Sequence, residues 1–265
     1  MSKRFEKKIS FYKKHLLRLI DKHIKENQTR KPYKYNNKHK LEIIIYVLKT
    51  GCCWNHLKEV GDESTYRKFF YKLVEMNIFK TAFYNLLGKL IKLKLVKFDN
   101  IFIDSTSIIN RVGLKEFVNF GFLPKKHKSL KIHSFIDKNQ VPLGFEISKG
   151  SEHDVNFVEP LVKSLENKIT LENIKIIGDK GYVSSKLKNK LKKDSKIKFI
   201  YKNRKNQIKN TVLEEILLKE RIKVEHSYAT LKQFRRIDKV NERKMKNYSS
   251  FVYLSFLLII FTKFF

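Results

Sequence analysis

Near residue 99 the hydrophobic pattern changes its period, and no other feature of the sequence restricts the fold as much. Upstream, apolar residues recur at helical spacing over Phe5 to Lys25, Lys40 to Lys49, Glu63 to Glu75 and Phe79 to Lys94. Downstream come short runs of strand character at Asn100 to Asp104, Lys131 to Ile136, Pro142 to Ile147, Lys175 to Gly178 and Ile197 to Tyr201. Helical patterns return at Val155 to Leu165, Ser184 to Lys193 and Val212 to Phe234. Three strands in a meander, with Asp137 to Gln140 as a turn, followed by alternating helices and strands, predict a mixed sheet covered by helices. The chain should therefore hold a small all-helical domain over 1–98 and an α/β domain over 99–265.

That strand order is the one of an RNase H-like domain. In the helical part, an apolar helix, a turn at Gly51, Trp54, a second turn at Gly61 and a helix opened by Ser64 give a helix-turn-helix pattern. The last helix would offer Tyr66, Arg67, Lys68 and Lys72 to phosphates or base edges of DNA. The balance of charge agrees: 58 Lys and Arg against 26 Asp and Glu leave +32, which rules out an ordinary acidic housekeeping enzyme and favours a polyanionic partner. Lysine far outnumbers arginine, a bias that AT-rich coding also produces, so charge alone does not define a binding surface. The two cysteines, Cys52 and Cys53, are adjacent, so no disulfide framework is implied and two ligands are too few for zinc.

In a chain so poor in carboxylates, acids at the ends of elements carry information. Asp104 closes the first strand in FIDSTS, and Asp179 follows the fourth in IIGDKGY. Both fall at strand C-termini, the rim where open α/β sheets place ligands. Glu225 lies in a helical pattern with Arg221 and Lys232 at offsets of four and seven residues, on one face. Each has an ordinary structural reading: Asp104 and Asp179 as caps or turn formers, Glu225 as an ion-pair partner. Taken together they suit phosphodiester chemistry, because hard cations such as Mg2+ take oxygen ligands and keep positions open for a substrate phosphate.

These segments resemble the catalytic segments of DDE transposases of the IS4/IS5 insertion-sequence group. The group's helix motif runs Tyr, two residues, Arg, three residues, Glu, six residues, Lys; Arg221, Glu225 and Lys232 stand at those steps, and Leu218 replaces the tyrosine. LKTGCCWNHLKE is similar to the group's N-terminal helical region, KIHSFIDKNQVPLGFEISKGSEHD to its hairpin, and NYSSFVYLSFLLIIF to its terminal apolar helix. The resemblance spans about residues 40–265. It implies Asp104, Asp179 and Glu225 as catalytic ligands of two Mg2+ ions, or Mn2+, with Arg221 and Lys232 on the DNA end. His153 and Asp154 would orient the site or form a satisfied loop pair.

The activity implied is cleavage at the ends of a mobile element, followed by attack of the freed 3′-hydroxyls on target DNA. No covalent tyrosine link is required, and Tyr182 is expected to pack beneath the site. Double-stranded DNA, both terminal repeats and target, is the expected partner, with at least a dimer in synapsis. The expected location is cytoplasmic and DNA-associated, or nuclear in a eukaryotic host. The uncharged stretch Phe251 to Thr262 is shorter than the roughly 18–20 residues a spanning helix needs, so a buried core helix is expected and no membrane partner. By the resemblance it packs behind the catalytic sheet. The alternative is an inactive or domesticated relative that binds DNA without cutting it; the three acids argue against that.

Overall fold

The computed structural model describes residues 14–22, 35–59, 61–110, 129–166, 173–203 and 209–264. These divide into two compact units. Described residues up to Leu86 and from Leu231 onward form the helical unit; Leu87–Asn110 and the described residues from 129 to Thr230 form the unit that holds the sheet.

In the helical unit residues 14–22 are helical, and the rest of the Phe5 to Lys25 expectation lies outside the described residues. Helices α1 (Asn37–Thr50), α2 (Glu63–Glu75) and α3 (Ile78–Lys92) lie within three residues of the predicted spans, α3 running past Leu86 into the second unit. α1 stops at Gly51, whose φ of +68° is the left-handed cap that glycine accepts without strain, and whose N–H donates to the Val47 carbonyl. A Cβ there would also press on the Arg235 backbone at 3.0 Å. Asp62, rather than Ser64, caps α2: its carboxylate accepts the Ser64 N–H at 3.0 Å. A one-turn helix at Trp54–Leu57 joins α1 to α2.

The chain ends in α9 (Met245–Phe264), preceded by the four-residue α8 (Arg235–Asp238). α9 is long and apolar enough to cross a membrane, yet 67% of its most apolar window is buried within the fold. It packs on α2 and α8, where the Phe251 ring stacks on Phe70 at 4.4 Å. An apolar helix with no polar face is explained by burial of most of its surface. By its contacts α9 groups with the N-terminal helices.

The second unit is built on one five-stranded sheet of order β3-β2-β1-β4-β5, from β1 (Asn100–Ile109), β2 (Ser129–Asp137), β3 (Pro142–Lys149), β4 (Lys175–Gly178) and β5 (Lys198–Tyr201). β1, β2 and β3 are antiparallel neighbours, whereas β4 is parallel to β1 and β5 to β4. This is the RNase H-like mixed sheet flanked by helices. Ile101, Phe102 and Ile103 are consecutive and all buried, as expected for a central strand covered on both faces. α4 (Val158–Glu166) packs on β3 and α5 (Ser185–Ser195) on β5.

Two expectations are corrected. β1 does not close at Asp104; it continues to Ile109 through the polar Ser105, Thr106 and Ser107, because β2 pairs with it from Ile101 to Ile109 and backbone hydrogen bonds need no apolar side chains. The pattern from Val212 to Phe234 is not one helix. It divides into α6 (Val212–Lys219) and α7 (Ile222–Lys232), joined at Glu220 and Arg221, after which the N–H groups of Arg221, Lys223 and Val224 turn to carbonyls three residues back, at Leu218, Glu220 and Arg221.

Candidate active site

The register of β1 against β4 sets the site. Their pairing runs Ile101 to Ile176 and Phe102 to Ile177 and then stops. Two residues further along each strand direction stand Asp104 and Asp179. Because side chains alternate with a period of two, both keep the face of their last paired neighbours. Each is held from its own backbone: Asp104 Oδ1 accepts the Ser105 N–H at 2.8 Å, and Asp179 Oδ1 accepts the Gly181 N–H at 2.7 Å. Gly181 gives room to Asp179 and to Asp154, since a Cβ on it would lie 3.0 Å from Asp179 Oδ1 and 3.7 Å from Asp154 Oδ2.

Arg221, at the mouth of α7, joins Asp104 to Glu225. Its Nη1 donates to Asp104 Oδ2 at 2.5 Å, and its Nη2 to Glu225 Oε1 at 3.3 Å. Burial nevertheless raises the Asp104 pKa to about 6; the Arg221 charge and the Ser105 N–H oppose that rise, and the nearby Asp179 and Asp154 add to it. Tyr228, one turn beyond Glu225, fixes α7 to the sheet. Its hydroxyl donates to the Asp104 carbonyl at 2.5 Å and accepts from Ser134 Oγ at 2.9 Å.

A fourth carboxylate comes from the turn after β3. Asp154 Oδ2 accepts the Ser105 hydroxyl at 3.1 Å, and Oδ1 pairs with Lys131 Nζ at 2.7 Å. His133 lies alongside, fully buried, stacked on Phe157 at 4.2 Å and bonded through Nε2 to Ser148 Oγ at 2.7 Å. Burial lowers its pKa to about 4, with Asp154 opposing and Lys131 assisting, so the ring is neutral near pH 7.

A family model described as "Transposase DDE domain" matches residues 100–261, more than half of the chain and all of these carboxylates. The chain belongs to the DDE transposase family. No curated protein matches the transposase. Among solved structures it is similar to a Mos1 transposase paired-end complex with left transposon end, at 10% identity and a TM-score of 0.30, over 79% of this chain and 82% of that one. A Mos1 mariner paired end complex with Mn, at 8% identity and a TM-score of 0.29, is matched over 79% and 82% of the two chains. A pre-cleavage Mos1 transpososome, at 8% and 0.30, is matched over 82% of each.

Of the residues singled out in the transposase sequence, Asp104, Arg221 and Glu225 are in direct contact and Asp179 is aligned with Asp104. Lys232 ends α7, seven residues beyond Glu225. Tyr182 is fully buried against Gly178, as expected of a residue packed beneath the site. Tyr66 is not available to DNA: it is buried in the helical unit, with its hydroxyl 2.9 Å from His39 Nε2, because its position on α2 faces the core. Lys68 and Lys72 are exposed on α2, and Arg67 is partly exposed, with a 3.8 Å pair to Glu63. Lys131, His133, Ser105 and Tyr228 were missed as site residues. The alternation of β2 does mark residues 131 and 133 as sharing one face, the only signal the sequence held.

Proposed function

We propose that this transposase is a member of the IS4/IS5 group that cuts the ends of its element and joins the freed 3′-hydroxyls to target DNA. The observation that carries the reading is the alignment of Asp104 with Asp179 across parallel β1 and β4, with Arg221 tying Asp104 to Glu225. The donor set is all carboxylate oxygen, which suits Mg2+ or Mn2+. Asp104, Asp179 and Glu225 would hold two such ions, which when bound supply charge stabilisation to the attacking and leaving oxygens of an in-line displacement. Among the described residues no three acids or histidines converge closely enough to grip an ion. The Arg221 guanidinium lies between Asp104 and Glu225, so loading requires that ion pair to open.

Opening it frees a guanidinium whose forked geometry suits a DNA phosphate. Lys232, at the end of α7, would act as a point charge, and Arg67, Lys68 and Lys72 would grip duplex DNA. Tyr182 and Tyr228 are buried, and burial lifts both phenols well above their ordinary range. Neutral phenols shut in this way make poor nucleophiles, which supports direct attack by water and then by a DNA 3′-hydroxyl, with no protein–DNA bond. Pairing two ends calls for a dimer or larger assembly in synapsis, in the compartment where the DNA lies.

The test uses duplexes bearing the inverted repeats that should bracket the gene. Asp104→Asn should abolish Mg2+-dependent strand cleavage while a mobility-shift assay finds duplex binding within a few-fold of the parent. Undiminished cleavage would overturn the assignment.

A further inference from the structure

The helical unit holds a cleft of about 610 Å³, bordered by Trp54, by α2 and by the segment that leads into α9, of which the reading above uses Arg67 alone. Its floor is a buried cation. Arg236, 2% exposed, lies 5.8 Å from the Trp54 ring and 5.5 Å from the Phe251 ring. Its guanidinium donates to Glu242 through Nε and Nη2, and to the Cys52 carbonyl at 2.9 Å through Nη1. Those donors are engaged, so Arg236 shapes the cleft rather than binding in it.

The walls differ. Trp54 is 7% exposed, and its indole N–H is buried with no acceptor among the described residues. Arg67 and Tyr71 stand one turn apart on α2, and Arg243 and Lys244 face solvent from the other side. Both acids of the lining are already matched, Glu242 by Arg236 and Glu75 by Lys246. Among the described residues Arg243 and Lys244 make no salt bridge of their own. The cleft thus combines uncompensated cations, the exposed ring of Tyr71 and a buried N–H that lacks an acceptor.

We infer that this cleft is a second DNA-contact site, taking backbone phosphates of a DNA strand on Arg67, Arg243 and Lys244, with Trp54 in its wall. The inference rests on the reading of the chain as a DNA-processing transposase, but not on which residues perform the cleavage. Phosphate oxygens are the acceptors that forked and point cations favour, and a continuous strand brings several of them at once.

Trp54 is the only tryptophan in the chain, so intrinsic tryptophan fluorescence reports on this cleft alone. The full chain would be titrated with a fluorescein-labelled 20-base-pair duplex, with anisotropy and tryptophan emission followed together, and separately with inorganic phosphate. The inference expects saturable change in Trp54 emission at the duplex concentrations that raise anisotropy, with millimolar phosphate far less effective. Arg243→Ala/Lys244→Ala, both at exposed positions, should weaken duplex binding at least about tenfold and lower the salt slope by about two, one for each phosphate that the variant no longer neutralises. Duplex binding that leaves Trp54 emission unmoved and is unaffected by the double substitution would overturn the cleft assignment while leaving DNA as partner. Phosphate acting at the same concentrations as duplex would reduce the cleft to a small-anion site and also overturn it. Intact binding with cleavage that survives Asp104→Asn would count against the catalytic reading, not against the cleft.

Discussion

Asp104 carries a free-energy cost that its neighbours only partly relieve. Unfolded, its carboxyl ionises near 3.8; folded, near 6. Above pH 6 it is charged in both states and folding bears the full cost of burial; below about 3.8 it is neutral in both and the cost is gone. Its contribution to stability therefore improves as pH falls through that window. His133 works the other way, because between 6.5 and about 4 the unfolded chain binds a proton that the folded ring refuses. Asp104→Asn removes only the first effect. At pH 7 the variant should be more stable by on the order of 1–3 kcal/mol in urea unfolding, and the gain should vanish near pH 4. A variant less stable than the parent at pH 7 would mean that the Arg221 pair outweighs desolvation. Asp154 is tested differently. Asp154→Asn keeps an acceptor for Ser105 but leaves the half-buried Lys131 charge unpaired beside the carboxylates. Metal affinity, read by Mn2+ titration, and cleavage should both fall about 10–100-fold, the range for partners that support metal ligands, with DNA binding unchanged.

The way α7 is fixed shows what one chain of letters can and cannot convey. Asp104 and Asp179 were legible because each follows a short apolar run, and strand register does the rest. Glu225 and Arg221 were legible as neighbours on one helical turn. The break between α6 and α7 was not: neither Gly nor Pro marks Glu220 and Arg221, so the apolar period reads straight through. The extension of β1 over Ser105 to Ile109 was hidden for a related reason, since pairing with β2 rather than side-chain character makes it a strand. Asp154, Lys131 and His133 meet only because the β2–β3 hairpin and the turn after it fold back, at separations of about twenty residues that no local pattern encodes. Tyr228 is the residue that turns helix into site, joining α7 to the Asp104 carbonyl and to Ser134. Tyr228→Phe should cost about 1–3 kcal/mol, the range for leaving buried polar groups unmatched, and should lower cleavage by more than it lowers duplex binding. Unchanged stability and cleavage together would show that packing of the ring alone holds the helix.

A net charge of +32 acts on the chain as a whole, and in two opposed directions. Like charges repel in the folded state more than in the expanded unfolded one, so at low ionic strength the fold is under electrostatic stress. Salt screens that repulsion, with a Debye length of roughly 30 Å at 0.01 M that falls to about 8 Å at 0.15 M. Raising NaCl over this range should therefore raise the melting temperature. Over the same range salt should weaken DNA binding, because each phosphate contact releases condensed counterions; for six to ten contacts the drop is roughly 10³–10⁵ between 0.05 and 0.2 M. The two trends separate a tuned binding surface from lysines accumulated by coding bias. Scattered lysines would still make melting salt-sensitive, since self-repulsion depends on total charge. They would not give a steep linear fall of log affinity with log salt, which needs cations arranged along one strand. Melting that rises with salt while duplex affinity stays flat would assign the charge to composition alone, whereas opposite slopes in the two measurements would assign it to DNA.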